Sequence, residues 1–192
     1  MLALIRHLSQ SFKINLMKMA DQITIKTAFK RNRRALEKRP SIGKSTATTK
    51  VRVRDGTTCE ITASGKKLVC DIGEMEGGND AGPGPGILER GALGSCLAIG
   101  YAQQAAVSDI PIENIEVYVE SDFDARGQFG LTEDPPGFKE LRYTVSIESP
   151  ASEEEIRDMI DKADARSPVL DDFRRPIPIK RKINIKSKEI TS

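Results

Sequence analysis

The hydrophobic pattern of the chain begins with a helix and then changes to strands. Apolar residues at helical spacing over residues 21–38 predict a helix, and Pro40 ends it. From residue 50 to residue 72 apolar and polar residues alternate, and Asp-Gly at 55–56 and Ser-Gly at 64–65 supply the residues of two turns. This stretch therefore predicts a meander of three short antiparallel strands.

The second half of the chain also mixes strands with helices. Period-two runs at 115–119 and 141–147 predict two half-buried antiparallel strands. A capping-box sequence at 152–155 opens a helix, and Ser-Pro at 167–168 starts a shorter one. Alternation over 177–185 predicts a closing strand, which two prolines confine to a sheet edge. Strands and helices in this order predict an α+β fold.

Between these halves lies a segment, 86–106, that is nearly free of charge and crowded with glycine and alanine. Because glycine costs about 1 kcal/mol relative to alanine inside a helix, close approach of other backbones must offset the loss. We therefore expect a central helix buried on nearly every side. Cys96 lies in its middle, where a thiol is either an inert core filler or a protected redox centre. The glycine-rich segment 73–86 before it predicts an irregular loop that covers something.

Composition and charge narrow the class of protein. The 192 residues, 38% hydrophobic and 30% charged, predict one globular domain of ordinary size, and no stretch has the length to span a membrane. The net charge is only +2, but basic residues gather within 26–39 and 174–188. Such groups can contact a polyanion or a membrane surface. No regular series of aromatic residues interleaves with them, so we expect solvated faces and no nucleic-acid partner.

Cysteine and histidine usage excludes several kinds of site. Three cysteines, at 59, 70 and 96, give no disulfide framework and no metal-ligand spacing, which indicates a reducing compartment, the cytoplasm. The single histidine is His7, so a Ser-His or Cys-His pair in the body of the protein is excluded, as is a histidine-ligated zinc. We expect neither a metal nor a cofactor.

Residues 1–20 contain three basic residues and no acidic one, a composition similar to an organellar transit peptide. The alternative is an upstream extension ahead of a start at Met17 or Met19. We favour the extension, and with it the cytoplasm.

Several short motifs occur in an order that resembles one known family. They are Gly77-Gly78, Pro83-Gly-Pro85, Ala92-Leu-Gly-Ser-Cys96, Pro150-Ala-Ser-Glu-Glu-Glu155 and Ser167-Pro168-Val169. In this order they resemble the OsmC/Ohr family, named for osmotically inducible protein C and organic hydroperoxide resistance protein. The resemblance covers roughly Lys44 to Lys186 and divides the chain into residues 1–20, a basic helix with its linker at 21–43, and an OsmC-like domain at 44–188.

Membership of that family would imply an intertwined homodimer with active sites at the subunit interface. In each subunit a long central helix would pack under a six-stranded antiparallel sheet. In active members a first cysteine attacks a hydroperoxide and becomes a sulfenic acid, which a second cysteine resolves as a disulfide. The first cysteine corresponds to Cys96.

Two expected parts of that chemistry are absent from the sequence. The position of the second cysteine holds Ser167, which can cap a helix but cannot form a disulfide. The position of a glutamate that orients an arginine in the family holds Gly86. Glu89, one turn further along the helix, is a candidate substitute. The candidate cations are Arg52, Arg54 and Arg90.

Two functions therefore stay open. The first is a one-cysteine, thiol-dependent organic hydroperoxide reductase that acts through Cys96 and uses an external thiol as reductant. The second is a catalytically inactive OsmC-like protein that binds an apolar small molecule at the dimer interface.

A separate question is whether another cysteine could resolve Cys96. If the hairpin turns at 64–65, Cys59 lies directly opposite Cys70, close enough to consider a cross-strand disulfide. A shift of the turn by one residue breaks this register.

Overall fold

The structure is a computed structural model and describes residues 21–186. The predicted leader or extension at residues 1–20, and the last two residues of the domain predicted at 44–188, lie outside the described residues. The helices are α1 (Gln22–Lys38), α2 (Pro85–Ser108), α3 (Ala125–Gln128), α4 (Glu153–Asp164) and α5 (Pro168–Arg174). The strands are β1 (Lys50–Asp55), β2 (Thr58–Ala63), β3 (Lys66–Cys70), β4 (Asn114–Phe123) and β5 (Phe138–Glu148).

Helix α1 forms where the sequence predicts it. The Asp21 side chain caps its first turn by accepting a hydrogen bond from the N–H of Ile23 at 3.2 Å. A short 3₁₀ turn, Pro40–Gly43, follows the helix. No residue of α1 is fully buried, so the helix lies on the surface of the described fold.

The predicted meander is confirmed, including its register. Strands β1, β2 and β3 are antiparallel neighbours, and Cys59 pairs with Cys70. Because partners across a ladder point to the same side, one face of this sheet carries the apolar residues and the other carries the charged ones. The apolar face holds Val51, Val53, Cys59, Ile61, Leu68 and Cys70. It is poorly covered within the chain, since Val53 is 60% exposed.

The core lies between α2, the β4–β5 pair and the two C-terminal helices. Every fourth residue of α2 from Leu93 to Ala105 is buried, and Tyr101 at the centre is 0% exposed. This stripe packs with Met159 and Ala163 of α4, with Leu170 of α5 and with the inner face of β4 and β5. The packing fixes the direction in which each face of α2 points.

The expectation that α2 is buried on nearly every side is only partly right. A Cβ atom at Gly94 would lie 3.3 Å from Cγ2 of Val119, so close approach explains this glycine. Gly91, in contrast, has no neighbour within 4 Å of such an atom. One series of exposed residues on α2 follows at steps of four, from Ile87 through Gly91, Ser95 and Ile99 to Gln103. In a single chain α2 is therefore buried on one side and open on the other.

The prediction of a closing strand at 177–185 is wrong for this chain. Residues 176–186 form neither helix nor strand, and Ile179 is 92% exposed. Pro176 and Pro178 have no N–H group to donate to a ladder, and alternation alone does not supply a partner strand. Within residues 21–186 the strands also form two sheets, β1–β2–β3 and β4–β5, instead of one six-stranded sheet.

One buried carboxylate ties the meander to the loop that leads into α2. Asp71 is 2% exposed and directly follows β3. It accepts hydrogen bonds from the hydroxyls of Thr57 and Thr58 at 2.7 Å each, and from the backbone N–H groups of Ile72, Asn79 and Ala81 at 2.9–3.4 Å. These donors, led by the two hydroxyls, hold the pKa of Asp71 well below its usual range. The glycine-rich loop is thus fixed from one point.

We predict that Asp71→Asn lowers stability near neutral pH and weakens its dependence on pH. The depressed pKa means that the ionised carboxylate stabilises the fold fully above the pKa of an unfolded aspartate, and that this contribution is lost as the pH falls. The difference in unfolding free energy between the native protein and the variant should therefore shrink between about pH 6 and about pH 3. Denaturant titrations at several pH values measure it.

Asp80→Asn, at an exposed position of the same loop, is the matched control. It should change stability little at any of these pH values. A constant difference between the native protein and Asp71→Asn across the pH range would contradict the prediction.

Candidate functional site

Cys96 lies beside Ser167 on the half-buried side of α2. The Sγ atom of Cys96 is 3.4 Å from the Oγ atom of Ser167, and either group can donate the hydrogen bond. Ser167 is 6% exposed, while Cys96 is partly exposed. The two residues are 71 positions apart in the chain, so packing of α5 against α2 brings them together.

The position of Ser167 is fixed by its role at the start of α5. Its hydroxyl oxygen accepts the N–H of Leu170 at 3.4 Å, and its own N–H donates to the carbonyl of Asp164 at 3.2 Å. This confirms Ser167 as the predicted N-cap. The hydroxyl proton is left free to be donated to the sulfur or to an atom bound to it.

A cluster of two tyrosines and one carboxylate holds the end of α4 next to Ser167. The hydroxyls of Tyr101 on α2 and Tyr143 on β5 donate to the two carboxylate oxygens of Asp164, at 2.7 and 2.6 Å. Burial, with the hydrogen bond to Asp164 as the second cause, raises the pKa of Tyr143 to about 12 and raises that of Tyr101 as well. Both tyrosines therefore stay neutral donors at physiological pH.

The thiol faces a cavity of about 520 Å³ with mainly apolar walls. Helix α1 contributes Phe29 to this cavity, α2 contributes Ala92 and Ile99 beside the thiol, and α5 contributes Val169. Two cations, Lys162 and Arg166, border it at the end of α4. Lys162 is paired with Asp158, whereas Arg166 makes no ion pair within residues 21–186. The cavity can thus take an apolar molecule and present it to a sulfur and a hydroxyl.

The structure does not bring the other candidate residues to this cavity. Glu89 lies two helical turns before Cys96 and borders a different cavity, with Tyr143 and Phe173. Arg90 donates to the hydroxyl of Ser121 on β4 at 3.1 Å. Arg54 pairs with Glu60 on the meander at 2.6 Å, and Arg52 lies on the same charged face of that sheet. Within one described chain, only Cys96 and Ser167 of the candidate residues meet.

Sequence reasoning missed three residues that line the Cys96 cavity: Phe29, Lys162 and Arg166. Arg166 directly precedes Ser167, so its place in the sequence could have indicated it. Lys162 lies four residues before Arg166, close to one turn of helix away, and could have been found in the same way. Nothing in the sequence pattern places Phe29 at the Cys96 cavity, since its position there depends on how α1 packs.

A sequence model of the OsmC-like proteins matches residues 77–182, more than half of the chain. The chain belongs to the OsmC-like protein family. No curated protein sequence matches it significantly.

Solved structures confirm the OsmC-like fold. An OsmC-like protein from Mycoplasma pneumoniae is similar with a TM-score of 0.59 and 18% identity, over 68% of this chain and 88% of that one. A putative osmotic stress induced and detoxification response protein from Psychrobacter arcticus has a TM-score of 0.54 and 16% identity, over 67% and 88%. An organic hydroperoxide resistance protein from Elizabethkingia anophelis has a TM-score of 0.52 and 18% identity, over 68% and 91%. At these identities the similarity shows the fold alone.

None of the helices in residues 21–186 has the length and hydropathy needed to cross a bilayer.

The distance between Cys96 and Ser167 generates a prediction. We expect the variant Ser167→Cys to form a disulfide with Cys96, because a sulfur at this position lies near enough for a bond after a small rotation. Treatment with an organic hydroperoxide should remove two hydrogens from the intact mass and join the peptides of residues 96 and 167 in a non-reducing digest.

The double variant Cys96→Ser with Ser167→Cys is the control and should not form this link. Absence of the link in Ser167→Cys, in a protein whose Cys96 has been oxidised to a sulfenic or sulfinic acid, would show that the two positions are further apart in solution.

Proposed function

We propose that this OsmC-like protein is a one-cysteine, thiol-dependent peroxidase for organic hydroperoxides, with Cys96 as the peroxidatic residue. The observation that carries the proposal is the contact of Cys96 with Ser167 at the edge of an apolar-walled cavity. The family supports it, because one structural relative is called an organic hydroperoxide resistance protein. Apolar walls favour an organic hydroperoxide over hydrogen peroxide, which offers no apolar surface to bury.

The first step is attack of the Cys96 thiolate on the distal oxygen of the hydroperoxide. The O–O bond breaks, the sulfur becomes a sulfenic acid, and the alkoxide leaves as an alcohol after it takes up a proton. Ser167 can donate a hydrogen bond to the sulfur or to the new oxygen on it. The mainly apolar walls of the cavity reduce the contact of the reacting atoms with water.

The second step requires a thiol from outside the chain. Ser167 occupies the place next to Cys96 and cannot form a disulfide, and Cys59 and Cys70 lie on the meander, outside the residues that border the cavity. One external thiol condenses with the sulfenic acid and releases water. A second thiol then reduces the mixed disulfide and restores Cys96.

A second candidate function is binding without turnover. The same cavity of about 520 Å³ has the size of a small-molecule site, and its apolar walls fit an apolar ligand whether or not the thiol reacts. The lack of a second cysteine beside Cys96 favours this function.

The test is hydroperoxide consumption with dithiothreitol as the reductant. We expect the native protein to reduce cumene hydroperoxide faster than hydrogen peroxide, and Cys96→Ser to fall to the rate of the buffer. Ser167→Ala should slow the reaction by about three- to tenfold, as expected for the loss of one hydrogen bond worth about 1 kcal/mol. Cys59→Ser should keep the native rate.

Equal rates for the native protein and Cys96→Ser would rule out the peroxidase. Binding of an apolar fluorescent probe by such an inactive protein, weakened by a bulky substitution such as Ala92→Phe in the cavity wall, would then support the second function.

We further propose that two copies of this chain form a homodimer. Two apolar surfaces support it: the face of the meander that includes Val51 and Leu68, and the open stripe of α2, where Ile99 is 59% exposed. Exposed apolar surfaces of this kind are typical of regions that a partner protein covers. A second copy can cover both.

We predict that Val51→Glu weakens the dimer and that Arg52→Glu does not. The two residues are neighbours on β1, but one lies on the apolar face and the other on the charged face. A carboxylate buried in an apolar interface without a partner costs several kcal/mol or forces the subunits apart. Sedimentation velocity over a range of concentrations measures the dimer fraction of each variant. A native protein that stays monomeric at every concentration would contradict the proposal.

A further inference from the structure

Helix α1 borders the Cys96 cavity although it lies outside the family match. The match begins at residue 77, whereas α1 ends at Lys38. Phe29, in the middle of α1, is half-buried and is one of the residues that border the cavity. The part of the cavity wall that α1 forms therefore belongs to the segment that precedes the matched residues.

The polar contacts of α1 with the rest of the fold are concentrated at one end of the helix. The amide of Gln22 donates to the carbonyl of Ile110 at 2.9 Å, and Lys26 forms an ion pair with Asp109. Both partners lie just beyond the C-terminal end of α2. Salt screens such a pair, because the Asp109 side chain is 76% exposed.

The middle and the far end of α1 pack loosely. No residue of the helix is fully buried, and a second cavity of about 730 Å³ runs along it between Thr24 and Glu37, with Gln103 of α2 on its other side. Few buried apolar contacts and exposed ends characterise segments that open locally at low free-energy cost. Phe29 of α1 and Gln103 of α2 border both cavities, and Phe29 is the residue of α1 that lies between them.

We propose that α1 is a displaceable wall of the Cys96 cavity and that Phe29 limits the size of the molecules that reach the thiol. While α1 is docked, a small molecule can enter beside Phe29, and a bulky one requires α1 to move. The proposal deepens the proposed function by defining its substrates through size. It requires only that Cys96 can be alkylated, not that it turns over a peroxide.

The experiment compares two maleimides of different size on the full-length protein. N-methylmaleimide and N-(1-pyrenyl)maleimide share one reaction with thiols, so the ratio of their rates reports access. Mass spectrometry of the peptide that contains Cys96 follows this thiol separately from Cys59 and Cys70. We expect Phe29→Ala to raise the rate of the pyrenyl reagent about tenfold, equivalent to about 1.4 kcal/mol, and to leave the small reagent nearly unchanged.

Phe173→Ala is the matched control, because Phe173 is a partly exposed aromatic residue that borders the other cavity, with Glu89. It should leave the ratio of the two rates unchanged. Phe29→Trp should slow the pyrenyl reagent further. An unchanged ratio in Phe29→Ala, or equal acceleration of both reagents, would overturn Phe29 as the size limit.

Displacement of α1 is tested separately by Lys26→Glu, which places two like charges together at Asp109. Hydrogen exchange of the α1 amides should become faster in this variant, and the rate of the pyrenyl reagent should rise more than the rate of the small one. Faster exchange without faster alkylation by the pyrenyl reagent would show that α1 does not control access. Both readouts stay valid for a protein that consumes no peroxide, so failure of the proposed function and failure of this proposal are distinguishable.

Discussion

The packing of α2 against α4, α5 and the β4–β5 pair is the constraint on which the site depends. Leu93, Leu97, Tyr101 and Ala105 are locked into the core, so the rotation of the helix about its axis is fixed. Cys96 directly precedes one of these anchors and is placed at the edge of the core, where it is partly exposed. A thiol one position further along the helix would be buried, because Leu97 is.

The partner of the thiol is fixed by the same core. Asp164 receives the hydroxyls of Tyr101 and Tyr143, one from the central helix and one from the sheet, and its backbone carbonyl accepts the N–H of Ser167. Because both tyrosines remain protonated, these hydrogen bonds do not change near neutral pH. The contact between Cys96 and Ser167 is thus positioned by groups that lie outside the cavity.

Local sequence signals predicted the parts of the fold that depend on neighbouring residues. The turn at 64–65 and the alternation around it were sufficient to place Cys59 opposite Cys70, and Ser167 was recognised as a cap from its own position and the following proline. The strand expected at 177–185 failed because an alternating pattern states which side would be buried but not what would bury it. Phe29 was missed as a site residue for a related reason, since helical spacing predicts the apolar side of α1 but not the surface against which that side packs.

The positions of two of the candidate supporting groups illustrate the same limit. Arg54 and Glu89 were chosen because their charges suit the chemistry, and the structure gives each a neighbourhood away from Cys96. The cations that do border the cavity, Lys162 and Arg166, belong to the turn before Ser167. Charge type can be read along a chain, whereas the distance between two charges requires the packing of the elements that carry them.

The hydroxyl at position 167 also affects how readily Cys96 would be inactivated by over-oxidation. In the proposed reaction, a sulfenic acid with a neighbouring sulfur would react within the molecule, whereas a sulfenic acid beside Ser167 would persist until an external thiol arrives, and a second hydroperoxide could reach it first. That encounter yields a sulfinic acid, which ordinary thiols do not reverse. With oxygen in place of sulfur at position 167, the number of turnovers before inactivation would depend on whether an external thiol or a second hydroperoxide reaches the sulfenic acid first. Repeated turnover would therefore require abundant reductant.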